Sequence, residues 1–405
     1  MALQFYFGPS GSGKSKRLHQ DVLHMAAKDP DCNFLFLVPD QFTMQTQMDL
    51  VKESPGGGIM NIDVLSFGRL THRIFEETGY GRKPVLDDTG KSLVLRKVAS
   101  SVKENLPVLS GNLNKIGYIH EIKSAISEFK QYGLSVERVG ELAEFSKSRG
   151  TLYYKLKDLK TLYQAFDAYV AERFITTEDT LALLSRAVHE SKIMKNSVVI
   201  FDGFTGFTPI QYRLIAELME LSRMVIVSVT LGEGENPYRI MGEQVLIYLS
   251  KKTVRDLQKW AQKRNVRQAE DVYLGKGGLP RFRESRELAH LEKQLFRYPL
   301  KPYEDSQKDS IPAIQIREAM SPAGEVRGAC ILIKKLVLEQ NYSYRDIAVV
   351  TGELETYGDF FEREAATYDI PVFIDTVSEF KAAKMKTWFT RIHTLKPTQK
   401  ELGIL

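Results

Sequence analysis

Over the first 80 residues, short apolar runs alternate with stretches whose apolar positions recur every three or four residues. Leu3–Phe7 and Phe34–Val38 are continuous runs of strand length, and Ile62–Phe75 reads as strand, turn and helix. Leu18, Val22, Met25 and Ala26 fall at helical spacing after the first run, and the segment from Gln41 starts a second helix that Thr43 is placed to cap. Three strand–helix units in so short a span predict a parallel, doubly wound sheet. From Asp87 to about Ser191 the pattern is almost entirely helical. Leu152, Leu156, Leu159, Leu162, Phe166 and Tyr169 there form one apolar stripe, and Tyr153, Tyr154 and Tyr163 read as core on such a stripe more readily than as base-stacking groups. The sheet resumes at Ser197–Phe204, continues through a helix around Ile210–Leu221, and adds a strand at Arg223–Leu231. Charged helices are expected up to about Tyr298. A polar linker at 301–309 then precedes a second α/β pattern over 310–380: strands at "AIQIREA", "DIAVVTG" and "IPVFID", with helices between them. The expected organisation is therefore a sheet domain over 1–86 and 192–300, interrupted by a helical insertion at 87–191. The start of a second sheet domain follows, and a divergent tail occupies 381–405.

Between the first strand and the first helix lies Gly8-Pro9-Ser10-Gly11-Ser12-Gly13-Lys14-Ser15, which fits G-x-x-x-x-G-K-[ST] at every fixed position. Glycines let the backbone wrap an anion with its N–H groups inward, and the helix that follows aims its positive end at the same place. Lys14 is expected to reach the β- and γ-phosphates of a nucleoside triphosphate, ATP by preference, and the Ser15 hydroxyl to hold Mg²⁺. A strand before the motif and a helix after it supply the context it requires. Further on, "VVIFDGF" (Val198–Phe204) resembles the strand that delivers an aspartate, here Asp202, to the bound metal. The glutamate that orients the attacking water in active enzymes is replaced by Gly203.

Composition changes this picture little. A hydrophobic fraction of 43% and a charged fraction of 26% are ordinary for a globular chain, and 405 residues suffice for two or three domains. The net charge of +5 is unevenly placed: residues 251–300 carry 13 Lys/Arg against 6 Asp/Glu, interleaved with Leu257, Trp260, Val266, Tyr273 and Phe282. That segment is a candidate nucleic-acid face, with a solvated helix surface as the plain alternative. Cys32 and Cys330 are too few and too far apart for a disulfide framework or a metal site, and the seven histidines show no catalytic spacing. No signal peptide or membrane-length apolar run is seen, so a cytoplasmic protein is expected.

Taken together, the P-loop strand, "VPDQFT" (38–43), "VLSFGRL" (64–70), the helical block and "FDGFTGFTPIQY" (201–212) resemble superfamily 1 helicases. More closely, they resemble the B subunit of the Add-type bacterial ATP-dependent helicase/nuclease, over residues 1 to about 375. The resemblance implies a RecA-like P-loop fold and an A-subunit partner that supplies the motor. It implies DNA as substrate, both double-stranded ends and single strands, and a role in processing double-strand breaks for recombination. Set against active helicases of superfamily 1, Asp202 sits at the Mg²⁺-linked aspartate and Gln211-Tyr212 at a later Gln-Tyr pair, whereas Gly203, Thr205 and Gly206 stand where those read Glu, Gln and Asp. "VSVTLGEGENPY" departs from the phosphate-sensing third motif. The resemblance therefore implies ATP held but hydrolysed poorly, since a positioned general base contributes about 10²–10⁴-fold. Ser66, Phe67 and Arg69 match a segment that touches single-stranded DNA, with Gln41 and Thr43 as weaker candidates; Phe67 suits a core position equally well. The family's nuclease and iron–sulfur cluster are implied downstream, and neither Cys32 nor Cys330 matches a cluster ligand. The last 25 residues depart from the family, as a truncated or frame-shifted gene would. A guanylate-kinase-like nucleotide kinase and a non-enzymatic scaffold braced by ATP stay open beside this reading.

Overall fold

The computed structural model describes residues 1–80, 83–113, 115–240, 242–304 and 313–374; the expected tail at 381–405 and most of the expected linker lie outside them. Two compact units divide at Ala313–Ile314. In the first, strands β1 (Ala2–Gly8), β2 (Asn33–Leu37) and β3 (Ile62–Leu65) alternate with helices α1 (Lys14–Lys28), α2 (Thr43–Glu53) and α3 (Phe67–Thr78). After the insertion come β6 (Ser197–Phe201), α10 (Pro209–Leu221), β7 (Met224–Thr230) and α11 (Tyr248–Lys263). The sheet order is β3-β2-β6-β7-β1, and every pairing is parallel. This is the expected RecA-like α/β class.

The two-residue period of β1 decides which side chain meets which layer. Leu3, Phe5 and Phe7 enter one core with Leu70 and Ile74 of α3, Leu214 and Leu218 of α10, and Leu257 of α11. Tyr6 enters the opposite core with Leu18 and Val22 of α1, Leu50 of α2 and Phe36 of β2. Helix starts are set by local chemistry. The Ser66 hydroxyl accepts from the Arg69 N–H, and Thr208 and Gln211 form a reciprocal capping box ahead of Pro209. Thr43 behaves differently from expectation: it is the first residue of α2, and its hydroxyl donates back to the Asp40 carbonyl at 2.9 Å instead of capping forward.

The insertion comprises α4 (Asp88–Ser101), α5 (Ile116–Gln131), α6 (Val136–Phe145), α7 (Thr151–Arg173), α8 (Thr177–Ala187) and the short α9 (Lys192–Lys195). It has its own core of Leu95, Ile122, Leu162 and Phe166, and Tyr163 is buried there as expected. The stripe read on α7 is buried toward its C-terminal half, while Leu152 and Tyr154 are exposed. Two features were not anticipated. β4 (Val85–Leu86) and β5 (Ile175–Thr176) pair at the base of the block, and Leu184, Ala187 and Val188, in α8 and just after it, pack into the sheet core instead.

The basic segment also departs from its reading as helices. Beyond α11 it supplies two short strands, β8 (Arg267–Gln268) and β9 (Val272–Tyr273), which pair in parallel with the free edge of β1; helix α12 (Arg286–Gln294) follows. In the second unit, α13 (Pro322–Gln340) and α14 (Leu354–Thr367) pack through Val326, Cys330, Ile333 and Ala365. The three strand-like segments expected there form no strand among the described residues. Ile316 is 96% exposed, Val350 92% and Phe373 90%. Their alternation is real, yet a strand exists only through a hydrogen-bonded neighbour, and none is present among the described residues.

Candidate functional site

The P-loop follows β1 at the carboxyl edge of the sheet. Gly11 and Gly13 take left-handed backbone, with φ of 75° and 83°. A side chain at Gly13 would meet nothing within 4 Å, so glycine is required there by backbone conformation and not by space. At Gly8 the constraint is space, since a Cβ would lie 2.6 Å from Ser12 Oγ. Ser12 is 5% exposed and its hydroxyl has no partner, an orphaned polar atom inside the loop. Lys14 curls back so that its ammonium donates to the carbonyls of Gly8 and Pro9, each at 2.9 Å. Burial pushes the Lys14 pKa down to about 8, against the pull of the Asp202 and Glu292 carboxylates and with the push of Arg281. Ser15 is exposed at the start of α1.

A second layer lies on this loop. Leu274 donates to the Phe7 carbonyl, Gly275 approaches Pro9, and the Arg281 N–H donates to the Gly11 carbonyl at 3.2 Å. The Phe282 ring covers Gly11 so closely that a Cβ there would sit 2.8 Å from it. From α12, Glu292 accepts the Ser10 N–H at 3.0 Å, placing a carboxylate on a backbone donor of the anion-binding loop. Lys293 and Arg297 tie the same segment to Glu233 at 2.9 Å and Glu235 at 3.1 Å, in the loop after β7. Part of the basic stretch is thus a strap across the P-loop.

Asp202 stands just past β6 and is 7% exposed; its N–H donates to the Leu37 carbonyl at 3.0 Å, and the Ser228 hydroxyl of β7 donates to its carboxylate. Gly203 has φ of 78°, and a Cβ there would only touch Pro39 and Phe42 at ordinary distances. The position has room for a side chain, but its backbone is one that L-residues avoid. Gln211 is the partner in the capping box of α10, and Glu235 of the third-motif segment is paired with Lys251 at 2.8 Å and with Arg297.

The DNA candidates separate by exposure. Ser66 is 1% exposed and its hydroxyl caps α3. Phe67 lies in an aromatic cluster with Phe201 and Phe204, at ring distances of 6.0 and 5.6 Å. Arg69 and Gln41 are exposed, Thr43 is buried, and Arg69 makes no ion pair with another described residue. Among the described residues no cluster of three His, Cys, Asp or Glu is arranged to hold a metal by itself. Ser228 and Glu292 were missed by sequence reading, and Phe282 was read into the candidate nucleic-acid face although its ring covers Gly11 of the P-loop. They lie more than 200 residues from the P-loop and carry no motif.

A glycine-wrapped loop with its lysine after β1, and a buried aspartate after β6 with β7 between the two strands, define a P-loop protein of the α/β class. The family described as "ADDB, N-terminal" matches residues 5–292, and the chain belongs to it. A protein of Lachnoclostridium phytofermentans, named as the B subunit of an ATP-dependent helicase/deoxyribonuclease, is 42% identical over 93% of this chain and 32% of its own length. Proteins of the same name from Clostridium kluyveri and Clostridium novyi are 33% and 30% identical, each over 94% of the chain and about a third of their own length. The chain spans about a third of the curated relatives it matches.

Proposed function

We propose that this chain is the ATP- and DNA-binding N-terminal part of a B subunit in a heterodimeric ATP-dependent helicase/deoxyribonuclease, acting in the cytoplasm on double-strand breaks that enter recombination. It holds ATP and hydrolyses it slowly. One contrast carries the reading: the P-loop is complete down to an orphaned buried hydroxyl, while the residue after Asp202 is a glycine in left-handed backbone.

The residues present fit a magnesium–triphosphate. The backbone from Gly8 to Gly13 and Lys14 are the groups to hold the phosphates, with Ser15 and Asp202 as the metal's protein partners. Bound Mg²⁺–ATP supplies a polyphosphate whose terminal anhydride a positioned water can cleave. Among this chain's own groups, the carboxylate expected to orient that water is missing at 203. Ser228 fixes Asp202 by a hydrogen bond, and Lys14 brings a cation already stripped of much of its water. DNA contact is assigned to Arg69 and Gln41 at the exposed rim, with Ser66 and Phe67 positioning that rim from beneath.

No helix among the described residues is long and apolar enough to cross a membrane. The relatives are named as B subunits, which supports a partner chain; the motor is assigned to that partner in this reading. Family membership displaces the nucleotide-kinase alternative. The test is a nucleotide titration together with a steady-state phosphate assay on the 405-residue chain. Tight ATP binding with negligible turnover, DNA present or absent, is expected; vigorous DNA-stimulated phosphate release would reject the reading.

A further inference from the structure

Between the loop 205–213 and the outer face of α11 lies a cleft of about 710 Å³, separate from the residues assigned above to ATP and to DNA. Helix α11 is two-faced. Val254, Leu257 and Ala261 are buried against the sheet, while Lys252, Lys259 and Lys263 are exposed and line the cleft. Their seven- and four-residue spacing puts them in one row along the helix. Arg213 from α10 faces them, so four cations line the cleft against one carboxylate, Asp256, whose charge is shared with Arg255 at 3.3 Å. None of the four cations makes an ion pair with another described residue. Elsewhere in the basic stretch Lys251, Arg264, Lys293 and Arg297 are paired with carboxylates, whereas these four cations are gathered on one cleft.

Aromatic groups sit among these charges. Trp260 is half-buried in the cleft wall, with the Lys263 ammonium 5.1 Å from its ring, and Tyr132 of the insertion is 56% exposed at the rim. Unpaired cations in a concave row, with flat rings between them, are what a flexible polyanion carrying π-faces requires. An acidic polypeptide would use the charges and leave the rings idle.

We propose that this cleft is a groove for single-stranded nucleic acid, in which Lys252, Lys259, Lys263 and Arg213 hold successive phosphates and Trp260 stacks on a base. The loop forming its other wall begins three residues past Asp202, so a strand lying here touches the segment that carries the nucleotide's aspartate. The inference is independent of whether the P-loop holds ATP.

The test uses the full 405-residue chain with Trp388→Phe, which leaves Trp260 as the sole tryptophan, and a short oligothymidylate as probe. Quenching of Trp260 fluorescence on binding is expected. Trp260→Ala should weaken binding about tenfold, within the range of base stacking. The double variant Lys259→Ala/Lys263→Ala should lower the slope of log affinity against log salt by about 1.4, since each phosphate contact on a single strand contributes about 0.7. All three side chains are at least partly exposed, so the fold should survive. An unquenched tryptophan, with affinity unchanged in the double variant but reduced by Arg69→Ala, would overturn the groove and leave the proposed function standing. Failure of the wild-type chain to bind the oligonucleotide at all would overturn both the groove and the DNA assignment, with ATP binding measured separately. Poly-glutamate that binds in its place, sensitive to the double variant, would overturn it in favour of an acidic protein partner.

Discussion

Two loops at the carboxyl edge of the same sheet use glycine for opposite ends. In the P-loop, Gly11 and Gly13 adopt left-handed backbone so that the chain can wrap an anion. Past β6, Gly203 adopts almost the same φ, and the result is the absence of a carboxylate beside Asp202. One substitution at 203 would therefore not by itself give the second loop the geometry that the proposed reading expects of a hydrolase. That loop's backbone has settled into a conformation in which the missing residue would be strained. On the proposed reading, glycine serves nucleotide binding in the first loop and stands in the second where a hydrolase would carry its carboxylate.

The largest effect that would break this contrast comes from Lys14. Lys14→Ala should reduce ATP affinity by at least about 100-fold, since a charge-assisted contact to phosphate and the cation over the loop are both removed. Isothermal titration calorimetry reads it directly, and unchanged affinity would remove the P-loop from the site.

The second loop is probed by Gly203→Glu. A restored glutamate should produce no unwinding, and it should destabilise the chain by about 1–2 kcal/mol, the cost of left-handed backbone for an L-residue. A urea midpoint lower than that of the parent chain, with a strand-displacement assay still blank, is the expected pair of results. Robust unwinding would mean that the third-motif segment, with Glu235 held by Lys251 and Arg297, is less decayed than it reads.

How much of this is visible in the sequence alone depends on whether the information is local. The P-loop, β1, β2 and the strand carrying Asp202 were legible because each is a continuous apolar run or a fixed spacing. Two-residue strands β8 and β9 were not, because Arg267–Gln268 carries no apolar pattern and pairs only where β1 offers an open edge. The reverse failure occurs at Val349-Val350, where a good strand pattern has no neighbour to pair with among the described residues. Chemistry contributed across long sequence separations was equally hidden. Nothing in the local sequence ties Ser228 to Asp202 or Glu292 to Ser10. Gly203 was visible as a glycine where a carboxylate is expected; its left-handed φ was not.

A smaller effect sharpens the P-loop side. The Lys14 pKa is lowered from the ordinary lysine value to about 8, chiefly by burial. Bound phosphates favour the charged form, so the pKa rises again on binding. ATP affinity should therefore be flat below pH 8 and fall by up to about tenfold per unit above it, a loss expected near pH 9 and not near pH 10.5. For the free chain the sign is reversed: between about 8 and 10.5 the unfolded state carries the extra proton, so this group's contribution to stability rises with pH. Titrations at pH 7 and pH 9 separate the two cases. An affinity still flat at pH 9 would show that Lys14 is not stripped of water as its setting implies.

The smallest effect concerns the strap. Glu292 occupies the Ser10 N–H and attracts Lys14, so in the free protein a carboxylate stands at the mouth of an anion site. A triphosphate arriving there meets like charge and must displace a hydrogen bond that is itself partly exposed and correspondingly weak. Glu292→Gln keeps the shape and the accepting oxygen and removes only the charge. ATP affinity should rise about three- to tenfold, roughly 1 kcal/mol, the scale of one such contact. The ties of Lys293 to Glu233 and Arg297 to Glu235 hold α12 in place in either variant, so the change would report the charge and not the loss of the strap. A fall in affinity would instead make Glu292 part of the nucleotide site, acting on the metal or an ordered water. It would also mean that this chain recruits a carboxylate from α12 where Gly203 no longer supplies one.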